Sequence, residues 1–440
     1  MKTTASLTLF LFFLNLSFIS KANIPEMIFT EYTLENGLHV ILHQDHSTPN
    51  VTVNVMYHVG AKNDPPDRTG FAHFFEHLMF EGSKHIGRGE FDRLVESAGG
   101  QLNAVTTHDI TNYFILMPSN YLERALWMEA ERMLHPVIDS IGIATQKDVV
   151  TEEMQQVRDN APYGRWRTEL FATAFSVHPY QNDVLGSAEH IRSATYEEII
   201  AFHQQYYVPD NAVLVIAGDF DKVLAKEWIE KYFGDIPRGI KQIQRSFIRE
   251  PKQSEQIRHT VYDNVQLPLL VKGFRVPGKN SKDYFALEIA RIILSEGQSS
   301  KLHSRLVDQE KVALQANSFP LFLEDSSLMS FILLPNMGIE PEKLEQLFWE
   351  ELDAFRKSTI TDRQLQQALN QLESQFIRGR RDINTRALNL AFYYTFHNNT
   401  DFVNEEFTNF SNVTTEDIQR IVNKYFIPEN CVVLYYMPAQ

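Results

Sequence analysis

The chain has 440 residues, 43% of them apolar, with 41 basic residues against 56 acidic ones. That is enough for two to three domains around a substantial core, and the acidic balance argues against nucleic acid as a partner. The one cysteine, Cys431 in the apolar run Cys431-Val432-Val433-Leu434, excludes an internal disulfide and reads as a buried structural residue.

Lys2, the mostly apolar run Leu7 to Ile19 and then Ser20-Lys21-Ala22 have the layout of a secretory signal peptide cleaved after Ala22. The apolar run is short for a bilayer span. The expected address is the periplasm, with no stable membrane span. Without residues 1–22 the basic residues lose Lys2 and Lys21, leaving 39 against 56 acids and a formal charge of −17. Such a charge serves solubility and, at most, favours cationic or neutral substrates.

Residues 29–43 are predicted to form a hairpin about the Asn36-Gly37 turn. Val51, Val53, Val55, Tyr57 and Val59 then alternate with Thr52, Asn54, Met56 and His58, the pattern of a strand with one apolar face. Asp64-Pro65-Pro66-Asp67 breaks it. The run from Thr69 to Phe80 has no proline and is followed by Gly82, so a short helix is expected there. Residues 90–97 read as a helix ended by Gly99-Gly100, and 101–107 and 111–117 as strands around His108-Asp109. Helices are expected over 119–135 and 144–159, on either side of Pro136, and a helix and a strand over 197–206 and 212–217. Residues 235–255, rich in Gly, Pro and charge, read as an interdomain linker whose basic residues form a solvated surface.

The second half repeats the first. Thr195 to Leu214 matches Thr414 to Val433 at a constant offset of 219, with Thr, Glu, Ile, Tyr, Pro, Asn and Val coinciding. A duplicated unit closing with helix, loop and strand follows. The fold class is therefore α+β: two tandem homologous domains, each a mainly antiparallel sheet packed with helices. The expected division is an N-terminal domain over 23–234, the linker, and a C-terminal domain over 256–440.

The chemistry concentrates in His73-Phe74-Phe75-Glu76-His77. On a helix His73 and His77 share one face and Glu76 lies near it. The remaining residues are apolar nearly all round, as in a buried helix. Two imidazoles and a carboxylate in such surroundings must be paired or bind something, and a divalent metal satisfies all of them. A catalytic zinc takes three protein ligands and keeps one position open. The helix over 144–159 offers Glu152 and Glu153. Val149, Val150 and Val157 mark its apolar side, so Glu153, four residues from Val149 and from Val157, is expected to point inward as the third ligand. Glu152 joins Asp148, Gln155 and Gln156 on the polar side. Glu76 is left as a general base that takes a proton from metal-activated water and passes it to a leaving amine. The second half has no such motif; its similarly placed helix, Tyr284 to Leu294, carries Ala, Ile and Leu. His39, His43, His85, His108 and His303 are read as ordinary core or surface residues.

His73-x-x-Glu76-His77 is the inverted zinc motif of the inverzincins. The wider run from Gly70 to Gly82, the 76 residues from His77 to Glu153, and Gly99-Gly100 with Asn103-Ala104 strongly resemble the pitrilysin/insulinase family. The match is closest in type to its bacterial processing-peptidase-like members. Thr111-x-Tyr113 and His178-Pro179-Tyr180 add to the likeness. The resemblance implies one zinc ion per chain and two α+β halves forming half of a clam-like chamber in which unfolded peptides are cleaved. It also implies that the strand carrying Asn103 and Ala104 binds the substrate backbone by β-augmentation. A non-catalytic peptide-binding or assembly subunit of the same family is the alternative.

Two departures from the family pattern stand out. A carboxylate that supports the metal ligands is often found seven residues before the third ligand; here Gln146 occupies that position. The Arg and Tyr that help hold the substrate carbonyl in many relatives fall on Val307 and Leu314. The resemblance therefore implies a heterodimer, in which a homologous subunit without zinc supplies the Arg/Tyr pair.

Overall fold

The computed structural model describes residues 24–245 and 248–439. The expected signal peptide lies outside the described residues. Strands β1 (Thr30–Thr33), β2 (His39–Gln44), β3 (Asn50–Tyr57), β4 (Gln101–Thr106), β5 (Thr111–Pro118) and β6 (Ala212–Gly218) form one sheet in the order β1-β2-β6-β3-β5-β4. Strands β7 (Ile257–Asp263), β8 (Leu269–Pro277), β9 (Ala313–Leu321), β10 (Ser326–Pro335) and β11 (Cys431–Pro438) form a second, in the order β7-β11-β8-β10-β9. Each sheet has one parallel pair, β2–β6 and β7–β11, and is otherwise antiparallel. The two orders superimpose, with β1 as an addition to the first sheet. Between the sheets, residues 234–256 hold no helix or strand among those described.

The expected hairpin is β1–β2. Gly37 sits at φ +93°, where a Cβ would meet the Asp210 Cβ at 2.6 Å, so only glycine fits the turn. The duplication is equally visible. Helices Tyr196–Tyr206 and Thr415–Tyr425 each start from a threonine capping box, Thr195 with Glu198 and Thr414 with Asp417. Each is followed by a short turn whose asparagine amide, in Asn211 or Asn430, donates 2.8 Å back to the helix's last tyrosine carbonyl.

Neither sheet is finished by its own half. The helix Trp166–Ala174 leaves the first half and lays Leu170, Phe171 and Ala174 against Val271, Val432, Leu434 and Tyr436 of the second sheet. The helix Ile383–His397 does the reverse, packing Ala387, Leu390 and Ala391 on Ile41, Met56, Val213 and Val215 of the first. The two crossing helices correspond at the same offset as the repeat. This explains a difference from the strand pattern: β3 is buried on both faces beyond its first residue, because its polar face lies under the crossing helix, where Thr52 donates to Asn384 Oδ1 at 3.2 Å. The close approach of Trp166–Ala174 needs Gly273 on β8, since a Cβ there would reach Leu170 Cδ1 at 2.8 Å.

The halves are also joined by charge. The β9–β10 turn brings Glu324 and Asp325 to Lys62, at 2.5 and 3.4 Å. His58 meets Glu324 at 2.9 Å and His178 meets Asp325 at 3.3 Å. The Tyr180 hydroxyl donates to Asp109 at 2.6 Å and accepts from the Asp325 amide at 3.1 Å. Burial alone would raise the Glu324 carboxyl, but the His58 bond and the Lys62 charge outweigh it and hold it at about 2. The linker is fastened too. Arg245 donates to His58 O and Asn211 Oδ1, and Glu250 accepts from the Ser176, Val177 and His178 amides. The four basic residues Lys241, Arg245, Arg249 and Lys252 are exposed as expected, but Arg245 also anchors the linker through these bonds, as does Glu250.

Two stability predictions follow from these contacts. Leu170→Ala removes a fully buried anchor of the crossing helix and should cost ~2–5 kcal/mol in urea unfolding. Glu324 is ionised well below its unfolded range, so its contribution is complete above the ordinary glutamate pKa of about 4.3 and fades as pH falls toward 2. Glu324→Gln should therefore cost ~3 kcal/mol near neutrality, with the gap to wild type narrowing below pH 4. A gap independent of pH would show that the charge is not what joins the halves.

Candidate metal centre

The motif helix runs Phe71–Leu78. Its start is set by Gly70, at φ +97°, where a Cβ would strike Leu185 O at 2.6 Å. Asp64, from the segment that breaks the preceding strand, reaches over this terminus. Its carboxylate accepts from the Gly70 amide at 2.6 Å and the Ala72 amide at 2.9 Å. Complete burial pushes the Asp64 carboxyl up to about 8 against the opposing pull of the amides. Sequence reasoning treated Asp64 only as part of a break. The signal available was an acid six residues ahead of a helix start, where it meets the positive end of the helix dipole.

The buried face of the helix is aromatic. Phe71 and Phe75 pack on Phe202, Phe75 also meets Tyr207, and the Tyr113 hydroxyl donates to Phe75 O at 3.3 Å. This packing leaves the opposite face for His73, Glu76 and His77.

Glu153 is the last residue of the helix Ser140–Glu153, which starts from an Asp139 cap and continues as a π-helical turn, Met154–Asp159. Such wide turns are frequent at functional sites. Glu153 Oε2 lies 3.2 Å from His77 Nε2 and 3.7 Å from His73 Nε2. The two Nε2 atoms are 3.3 Å apart. One ligand atom from each of the three residues falls within 4.8 Å of the others, the one such group of His, Cys, Asp and Glu among the described residues.

Burial, then the neighbouring His77, lowers His73 to about 4, with Glu153 pulling the other way. His73 is thus neutral and able to coordinate at ordinary pH. The Glu153 carboxyl is held down chiefly by its bond to His77, against desolvation. Burial raises Glu76, against the pull of the Thr106 side chain. Two imidazoles and one carboxylate converging at a half-open position fit the three-ligand set of a catalytic zinc.

The structure brings Glu153 to the site by a different face from the one expected. Val149 and Val157 are 42% and 55% exposed, while Val150 and Met154 are buried. Glu153 therefore lies on the open side of its helix with Val149 and Val157, not toward the core. Glu152 is exposed and bonds Gln156. Gln146 donates from its amide to Glu81 Oε1 at 2.5 Å, and Glu81 pairs with Arg88 at 2.7 Å. Gln146 Oε1 and His73 Nδ1 are both buried without a partner among the described residues. Gln146 thus sits in a network with Glu81, which the motif reading passed over.

Asn103 and Ala104 lie on β4, which ends the first sheet and pairs only with β5 among the described strands. Ala104 packs toward the helices and Asn103 is exposed on the other face. Asn103 Oδ1 accepts the Ala104 amide at 2.8 Å. In the second half, Leu314 is 54% exposed on β9 and Val307 packs against the core. The helix Asp283–Ser295, similarly placed to the motif helix, carries a Glu288–Arg291 ion pair at 2.6 Å in place of metal-binding side chains. Cys431 is fully buried and its thiol is pushed up to about 12.

Comparison with known proteins bears on the whole chain. Residues 39–188 match the family model described as Insulinase (Peptidase family M16), and residues 193–372 match the model described as Peptidase M16 inactive domain. Helicobacter pylori zinc protease PqqE is 31% identical over 92% of this chain and 92% of its own length. A crystal structure of a protease from Helicobacter pylori superimposes with a TM-score of 0.89 at 31% identity, over 93% of this chain and all of that one. The first half of the periplasmic protease PqqL from Escherichia coli shares the fold, with a TM-score of 0.76 at 16% identity over 94% and 92% of the two chains. Two family models in tandem, the duplicated sheets and the 31% identical Helicobacter pylori relative agree: the chain belongs to the insulinase family of peptidases, M16.

Proposed function

We propose that the chain is the metal-bearing subunit of an exported zinc endopeptidase that cleaves peptides or unfolded polypeptide segments. The observation that carries this reading is the convergence of His73, His77 and Glu153 beside a half-buried Glu76. His73, His77 and Glu153 would hold the ion. When bound, zinc supplies a Lewis acid that polarises the scissile carbonyl and acidifies a water. Glu76, raised by burial, takes the proton of the attacking water and hands it to the departing amine nitrogen. The free edge of β4 holds the substrate extended, with a substrate carbonyl taking the Ala104 amide in place of Asn103 Oδ1. Gln146 supports the metal helix through Glu81.

The relatives named zinc proteases support the metal and the reaction. The periplasmic setting of the Escherichia coli neighbour supports export, and no described helix is long and apolar enough to cross a membrane. At the aligned positions Val307 and Leu314 offer no hydrogen-bond donor for a developing oxyanion. A homologous subunit without zinc therefore completes the site in a heterodimer.

Glu76→Gln should keep about one zinc per chain by metal analysis while peptide cleavage falls ~100-fold or more. His77→Ala should lower zinc affinity itself. Capture of the wild-type protein from its native source should recover an M16 homologue that carries an Arg and a Tyr at the positions of Val307 and Leu314. Adding that homologue should raise cleavage of a mixed peptide library ~100-fold, abolished by chelator. Full activity of the chain as an isolated monomer would remove the partner from this reading.

A further inference from the structure

A cavity of about 850 Å3 opens at the end of β4 and runs between the π-helical turn, the helix Trp166–Ala174 and the end of β9. Val105 and Thr106, at the end of β4, form part of its wall, and β4 packs against the motif helix that carries Glu76. The recess thus adjoins the residues expected to perform the chemistry. Its walls are largely apolar, with Val105, Val157, Trp166, Phe319 and Leu321 among them.

Three charged side chains line it, and two of them are committed. Arg158 pairs with Asp159 and Asp183 and donates to Gly186 O at 2.8 Å. Asp183 also accepts from the Thr168 hydroxyl at 2.9 Å. Arg167 is different. Its guanidinium lies 4.3 Å from the Phe319 ring centre and 5.4 Å from that of Trp166. Among the described residues it makes no ion pair and no side-chain hydrogen bond, although the Asp183 charge acts on it from across the recess. The charged side chains of the wall are thus two arginines and one aspartate, in a protein that is strongly negative. A guanidinium stacked on aromatic faces keeps its planar fork free for a carboxylate. Arg167 is itself exposed, so the fork is open to an incoming ligand.

We infer that Arg167 makes this recess a subsite for a carboxylate of the bound peptide, within a few residues of the scissile bond. The carboxylate comes from an acidic side chain or from the peptide's own C-terminus, and the apolar walls take the methylene stem. This rests on the reading of β4 as the substrate-binding edge.

The test uses the full chain, zinc-loaded, with Glu76→Gln so that binding is measured without turnover. Fluorescent peptides carry Glu or Gln at successive positions, and a neutral peptide is compared as free acid and as amide. A ~5-fold or greater preference for the carboxylate member of one pair is expected, weakening with added salt. Arg167→Gln should bring that ratio to about one, and Arg167→Lys should retain part of it. Preference for the Glu peptide assigns an acidic side chain; preference for the free acid assigns the C-terminus. Equal binding in every pair, or a preference that survives Arg167→Gln, overturns the inference. Selective binding by Glu76→Gln, with no cleavage by wild type in the presence of its partner, leaves the subsite standing and overturns the endopeptidase reading.

Discussion

The crossing of two helices between the halves is the constraint on which the rest of the structure depends. Each sheet has an apolar face that its own half does not cover. An isolated domain would leave that face in water, where burying it is worth about 25 cal/mol per Å² of apolar surface. Exchange of Trp166–Ala174 for Ile383–His397 covers both faces at once and ties the halves into one body. The same exchange builds the functional region. The stretch from Ser140 to Ala174 carries Glu153, then the π-helical turn, then the recess lined by Trp166 and Arg167, and finally the Leu170 anchor on the second sheet. The candidate metal site and the recess are held in register because one continuous segment is fixed at both ends.

Polar groups in this region are placed where the fold can bear their cost. Asp64 is fully buried, but three amides at a helix start surround it. His73 is buried and neutral. Glu76 and Glu153 stand at the border between packed aromatics and open space, where a carboxylate can change partners without being stranded. The joint between the halves follows the same rule: Lys62, His58 and His178 meet Glu324 and Asp325 in one network, so no charge there is left alone.

Much of the candidate centre was legible because two of its three residues are local. His73 and His77 are one helical turn apart, and helical geometry alone puts them side by side. Glu153 was reachable only by assuming which side of its helix meets the core. Periodicity states the angles between side chains; it does not say which angle faces protein and which faces a cavity. Val149 and Val157 look like core residues and line open space instead. Asp64 was missed for a related reason, since its role depends on the chain folding back over a helix end that lies several residues ahead.

The sequence by itself determined the element types, the duplication and the presence of a His-Glu-His motif, because these rest on local spacing and on identities repeated at a fixed offset. Tertiary structure decided which half each crossing helix covers, that β4 ends a sheet, that Gln146 is held by Glu81, and that Arg167 makes no ion pair among the described residues of its recess. These are relations between segments distant in the chain. They are set by which surfaces exclude water together, and no local pattern encodes that choice.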